Sequence, residues 1–206
     1  MRSGHIPKIL IPPRASKGPM AFRAFIAVEV TPGQEALQAW ERARNTGADL
    51  KLVDPRQTHI TLQFLGDIDE AQVGSIGSAM DAATSGVGPF TVALKGLGVF
   101  PKPSYIKVLW MGMEGAEPLV DISKRLSEGL APLGFRPDKP FSPHLTIARL
   151  RSGRKSKEVA TLVESHGDTA FGEFTVDRIV LKKSVLTPKG PIYSDVRESP
   201  LKAGGP

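Results

Sequence analysis

The chain contains no cysteine among its 206 residues. That excludes disulfides, thiolate metal sites and a cysteine nucleophile at once. It also lacks any apolar run near 18 residues, so no segment is expected to span a membrane. Acidic residues are missing from the first twenty positions, where Arg2, Lys8, Arg14 and Lys17 carry most of the net charge of +6. The rest is close to neutral, so nucleic-acid contact has to come from local clustering rather than a global basic field. The apolar stretch of that leader is short and broken by proline, unlike the core of a secretory signal. Residues 1–20 are expected to be a disordered extension, with Met20 a candidate start, and the protein to be cytoplasmic.

Histidine is scarce, with four in the chain, and two of them sit in near copies of one segment. His59-Ile60-Thr61-Leu62 and His144-Leu145-Thr146-Ile147 each place a histidine and a threonine two residues apart between aliphatics. In a β-strand, alternate side chains share a face. His and Thr then point one way together while the aliphatics anchor the strand in a core. Two ordinary half-buried strand histidines are the bland alternative. Template counting puts an accidental pair of such matches at roughly one in a thousand, which favours a shared site. His5 and His166 have no counterpart of this kind and are expected to be inert, His166 at a helix end and turn.

From Ala21 onward the chain is patterned. Residues 22–30 (FRAFIAVEV) read as a strand, and Thr31-Pro32-Gly33-Gln34 as a capping box opening a helix that ends near Gly47. A short strand is expected at 51–54 and a stronger one at 58–65, closing at Gly66-Asp67. Helical spacing recurs over 70–84 and 117–131, and a further helix is expected at about 156–165. Strands are expected at 90–99 and 105–113, joined by a turn, and at 144–150, 174–185 and 192–196, with a frayed tail beyond. This is an α+β pattern of antiparallel hairpins, with the halves dividing near residue 114 and one His-x-Thr strand in each. Internal duplication, with the motifs meeting at a pseudo-two-fold axis, is the economical inference. One domain over 21–197 and a flexible tail at 198–206 are expected.

Two imidazoles facing one phosphorus atom can divide acid and base roles near neutral pH. The Thr61 and Thr146 hydroxyls are suited to hydrogen-bond non-bridging phosphate oxygens. The repeat leaves open which histidine is acid and which base. No cofactor is required, and two histidines without nearby Asp, Glu or Cys at ligand spacing make a poor zinc site. Arg149 follows the second motif; strict alternation turns it away from His144 unless the strand bulges or ends there. A guanidinium matches phosphate well, so Arg149 remains a candidate. Phe64 holds the matching place after the first motif, and Phe64 and Tyr193 are candidates for stacking on a base, although aromatics in strands are more often core. Trp40 and Trp110 are expected in the core.

These segments, with HITLQFLGD at 59–67, VLWMG at 108–112, SPHLTIAR at 142–149 and SVLTPKGPIY at 184–193, resemble the 2H phosphoesterases. The similarity is specifically to the RNA 2′,3′-cyclic phosphodiesterases, also described as 2′-5′ RNA ligases, over residues 21 to about 197. The resemblance implies two pseudo-symmetric α+β lobes, each an antiparallel sheet with flanking helices, around a central groove. It also implies metal-independent opening of a 2′,3′-cyclic phosphate to a 2′-phosphate, with His59 and His144 catalytic and Arg149 helping to hold phosphate. The implied partners are RNA ends or nucleotides with a 2′,3′-cyclic phosphate, and a monomer is expected. Reverse 2′-5′ ligation and a nucleotide- or RNA-binding module without turnover are the competing functions.

Overall fold

The aromatic and β-branched run that opens the patterned region forms β1 (Ala21–Glu29) in a computed structural model described over residues 21–188 and 190–204. The leader expectation falls on residues 1–20, outside the described residues. After β1 come α1 (Gln34–Asn45), β2 (Leu50–Leu52), β3 (His59–Asp69), α2 (Val73–Thr84) and β4 (Ser85–Gly86). The middle of the chain supplies β5 (Phe90–Lys102), β6 (Tyr105–Glu114), α3 (Glu117–Leu130) and β7 (Leu145–Leu150). The remainder is α4 (Ser156–Ser165), β8 (Ala170–Val176), β9 (Arg178–Thr187), β10 (Gly190–Pro200) and β11 (Lys202–Ala203).

Two antiparallel sheets carry the architecture, in strand orders β10-β9-β1-β3 and β2-β7-β6-β5-β8. Helices α2 and α3 pack on each other and against the first sheet, and α1 and α4 against the second. β1 is paired on both sides, and Ala24 to Val28 are all buried rather than every second residue. Among the described residues no helix is long and apolar enough to cross a membrane.

The division near residue 114 is corrected by the pairing. β9 and β10 return from the end of the chain to join β1, while β2 crosses to lie beside β7. Each lobe is therefore assembled from both halves of the sequence, because strand partnership is a long-range choice that local pattern does not encode.

Smaller differences have local causes. The helix expected to open with a Thr31 cap starts at Gln34, with Gly33 at the cap position and no side-chain cap bond. Val30 is held in extended geometry instead: its N–H donates to the Thr58 carbonyl (3.1 Å), and the Thr58 hydroxyl donates to the Val30 carbonyl (2.7 Å). The single strand expected at 174–185 is two strands in different sheets, broken at Asp177, whose carbonyl accepts from the Leu201 N–H. The tail expected to fray after Val196 continues as β10 to Pro200. Arg197 and Ser199 bond Asp81 on α2, Leu201 is 4% exposed, and β11 pairs in parallel with β4.

Candidate active site

From the histidine onward the two motif strands share one burial profile. His59 and Thr61 are half-buried, Ile60 buried, Leu62 and Gln63 both buried, Phe64 exposed and Leu65 buried; residues 144–150 repeat this step for step. Two consecutive buried residues break the period of two, and a bulge is the cause. On β3, Leu62 is extra between Thr61, opposite Ala27, and Gln63, opposite Ile26. On β7, Ile147 is extra between Thr146, opposite Trp110, and Ala148, opposite Leu109. One inserted residue moves everything beyond it to the other face. Phe64 and Arg149 thereby come round to the face that carries His and Thr, so the bulged exception applies to Arg149.

The two sheets enclose a cavity of about 660 Å³ lined by His59, Thr61, His144, Thr146 and Arg149. The five candidates for catalysis and phosphate binding thus line one space, and so do the stacking candidates Phe64 and Tyr193. Each imidazole is oriented by the backbone two residues earlier. His59 Nδ1 donates to the Gln57 carbonyl at 2.9 Å, and His144 Nδ1 to the Ser142 carbonyl at 2.7 Å. A carbonyl only accepts, so Nδ1 carries the hydrogen when either ring is neutral, leaving Nε2 as the proton acceptor.

Aromatic rings brace both histidines, but differently. His59 lies 4.9 Å from the Phe25 ring and meets Tyr193 edge-on at 5.1 Å. His144 stands perpendicular to Phe100 at 5.0 Å, with Trp110 behind it at 6.4 Å. Trp110 fits because position 98 is glycine: a Cβ there would lie 2.2 Å from the indole. Trp110 is thus half-buried beside the site rather than in the deep core, whereas Trp40 is core. Phe64 is not core either, being 65% exposed on the cavity wall.

Burial holds the His59 imidazole below its ordinary pKa. The positive charges of Lys182 and Arg149 push the same way, against the Gln57 carbonyl and the Glu29 carboxylate. Lys182 is itself buried and bonded to Glu29 and Asp195. The same burial raises the Tyr193 phenol. His166, expected to be inert, ends α4 away from the cavity; it accepts from Arg42 and donates to the Leu162 carbonyl. Among the described residues no three His, Cys, Asp or Glu side chains cluster as metal ligands would.

Sequence reasoning missed Arg23 and Lys51, which also line the cavity. Lys51 carried no local signal, because β2–β7 pairing is what sets it opposite Arg149. The exposed position of Phe64 was readable in principle: it lies as far past His59 as Arg149 does past His144.

The sequence model of the 2′-5′ RNA ligase superfamily matches residues 31–185. An RNA 2′,3′-cyclic phosphodiesterase of Methanothermobacter thermautotrophicus is 35% identical over 179 residues, covering 86% of this chain and 97% of the relative. One from Archaeoglobus fulgidus is 38% identical over 177 residues, covering 85% and 98%. A crystal structure from Thermus thermophilus superposes with a TM-score of 0.70 at 29% identity, covering 88% of this chain and 98% of that one. Apo Escherichia coli LigT, at 22% identity and a TM-score of 0.65 over the same shares, has the same fold.

Proposed function

The chain belongs to the 2′-5′ RNA ligase superfamily, and from that premise we propose that it hydrolyses 2′,3′-cyclic phosphates at RNA ends or on nucleotides, giving a 2′-phosphate. The observation that carries this reading is the pair of imidazoles lining one cavity, each with Nδ1 tied to a backbone carbonyl and Nε2 left to exchange a proton.

In this scheme a water oxygen bonds to phosphorus as the phosphorus–O3′ bond breaks. One Nε2 takes the proton released by the water; the other histidine, protonated, delivers its proton to O3′. The products are a 2′-phosphomonoester and a free 3′-hydroxyl, and the proton passes between the histidines through solvent before the next turnover. Thr61 and Thr146 hydroxyls donate to the non-bridging oxygens, and the Arg149 guanidinium offsets the charge gathering there. No step calls on a metal.

Purified protein in excess chelator, given a 2′,3′-cyclic mononucleotide, should release the 2′-nucleotide, separated from the 3′ isomer by chromatography. Lack of turnover, or exclusive 3′-phosphate, would overturn the reading.

A further inference from the structure

Several cations of this molecule outside the cavity already have carboxylate partners. Arg178, Lys182 and Arg197 are each held by carboxylates. Lys51 and Arg149 differ: they are direct partners in the β2–β7 ladder, both line the cavity, and neither has an ion pair among the described residues. The one acid on the same wall, Asp54, is occupied by the Arg56 backbone N–H and guanidinium at 2.8–3.1 Å. Two adjacent unneutralised cations in a cleft await an anion.

They are not placed to share a single phosphate with the histidines equally. Arg149 stands three residues past Thr146, roughly 8–10 Å along the strand, from which a long guanidinium side chain reaches back. Lys51 is one strand further out, about another 4.8 Å. Its ammonium lies across the cavity mouth, 3.9 Å from where a side chain on Gly190 would begin, at the β9–β10 hairpin of the opposite sheet.

That hairpin supplies a second, apolar feature. Leu186 is 68% exposed and Ile192 57%, and both line the cavity mouth. Exposed aliphatic side chains offer a base an apolar surface to cover, and an unpaired cation beside them can hold its phosphodiester.

Resting on the function proposed above, we propose that Lys51, with Leu186 and Ile192, forms a second subsite. It takes the phosphodiester and base of the nucleotide preceding the cyclic end.

The test compares a 2′,3′-cyclic mononucleotide, its 5′-phosphorylated form, and a dinucleotide ending in the same cyclic phosphate. Wild type should favour the dinucleotide in kcat/KM over both mononucleotides. Lys51→Gln should lower kcat/KM for the dinucleotide about tenfold, consistent with loss of one charge-assisted contact. The unphosphorylated mononucleotide should stay within about twofold of wild type. For the dinucleotide and the 5′-phosphorylated mononucleotide, but not for the unphosphorylated one, Lys51→Gln should lower the slope of log kcat/KM against log salt by about 0.7, the single-strand value for one phosphate contact. The double variant Leu186→Ser, Ile192→Ser should weaken the dinucleotide and spare both mononucleotides. Equal losses on all substrates would put Lys51 in the catalytic phosphate site, and no loss on the dinucleotide would empty the subsite; either overturns the inference. Turnover of the mononucleotide by wild type reports on the function separately, and its absence on every substrate sinks both.

Discussion

Arg149 is the residue whose role depended most on tertiary structure, and its removal is the most informative perturbation. It is exposed on the cavity wall with no ion pair among the described residues, so Arg149→Met leaves no buried charge behind. Folding stability should therefore change by no more than about 0.5 kcal/mol. Activity should change far more. A hydrogen bond to a charged group is worth about 1.5–3 kcal/mol, which is roughly 10- to 150-fold in kcat/KM if the contact strengthens in the transition state. Arg149→Lys keeps the charge but not the bidentate fork, so it should recover only part of the loss. A second readout comes from His59, whose protonation the Arg149 charge opposes. Without that charge the His59 pKa rises, and the pH–rate limb it governs should shift to higher pH. Initial rates on a 2′,3′-cyclic nucleotide across pH, alongside urea unfolding, measure all three effects. An Arg149→Met protein with wild-type kcat/KM at its optimum would show that the bulge turns the side chain toward the cavity without bringing it to phosphate.

His59→Ala and His144→Ala should each cost on the order of 10²–10⁴-fold in rate with the fold retained. The double variant should be little worse than the poorer single one, because the two act as a unit; additive losses would separate them. Lys182→Met removes a positive charge that adds to burial in disfavouring His59 protonation and leaves the Glu29 carboxylate that favours it, so the His59 pKa should rise. Because His59 stays neutral to lower pH than a free imidazole, it suits the base role, and the acid limb of kcat/KM should move upward. Movement of the alkaline limb instead would make His59 the proton donor, and a still profile would refute the coupling. Leu201→Ala should cost about 2–3 kcal/mol in urea unfolding, at the lower end for a buried leucine; a change under about 0.5 kcal/mol would return the chain end to the status of a tail.

Local pattern alone showed which side chains each motif strand presents on one face. His59, Thr61, His144 and Thr146 were legible because face-sharing at i and i+2 is a local consequence of strand geometry, and a repeated motif makes an accident improbable. The helices were legible from local pattern too; Glu117–Leu130 falls where its apolar spacing put it. Tertiary structure decided what depends on distant partners. The bulges at Leu62 and Ile147 exist only against β1 and β6, and they alone bring Phe64 and Arg149 to the site. Lys51 reaches the cavity only because β2 pairs with β7, more than ninety positions away. The unlike surroundings of the two histidines, with the buried Lys182 cluster beside His59 alone, are equally invisible in two near-identical motifs. Strand alternation is written residue by residue, whereas register, bulges and burial are settled by which strands meet.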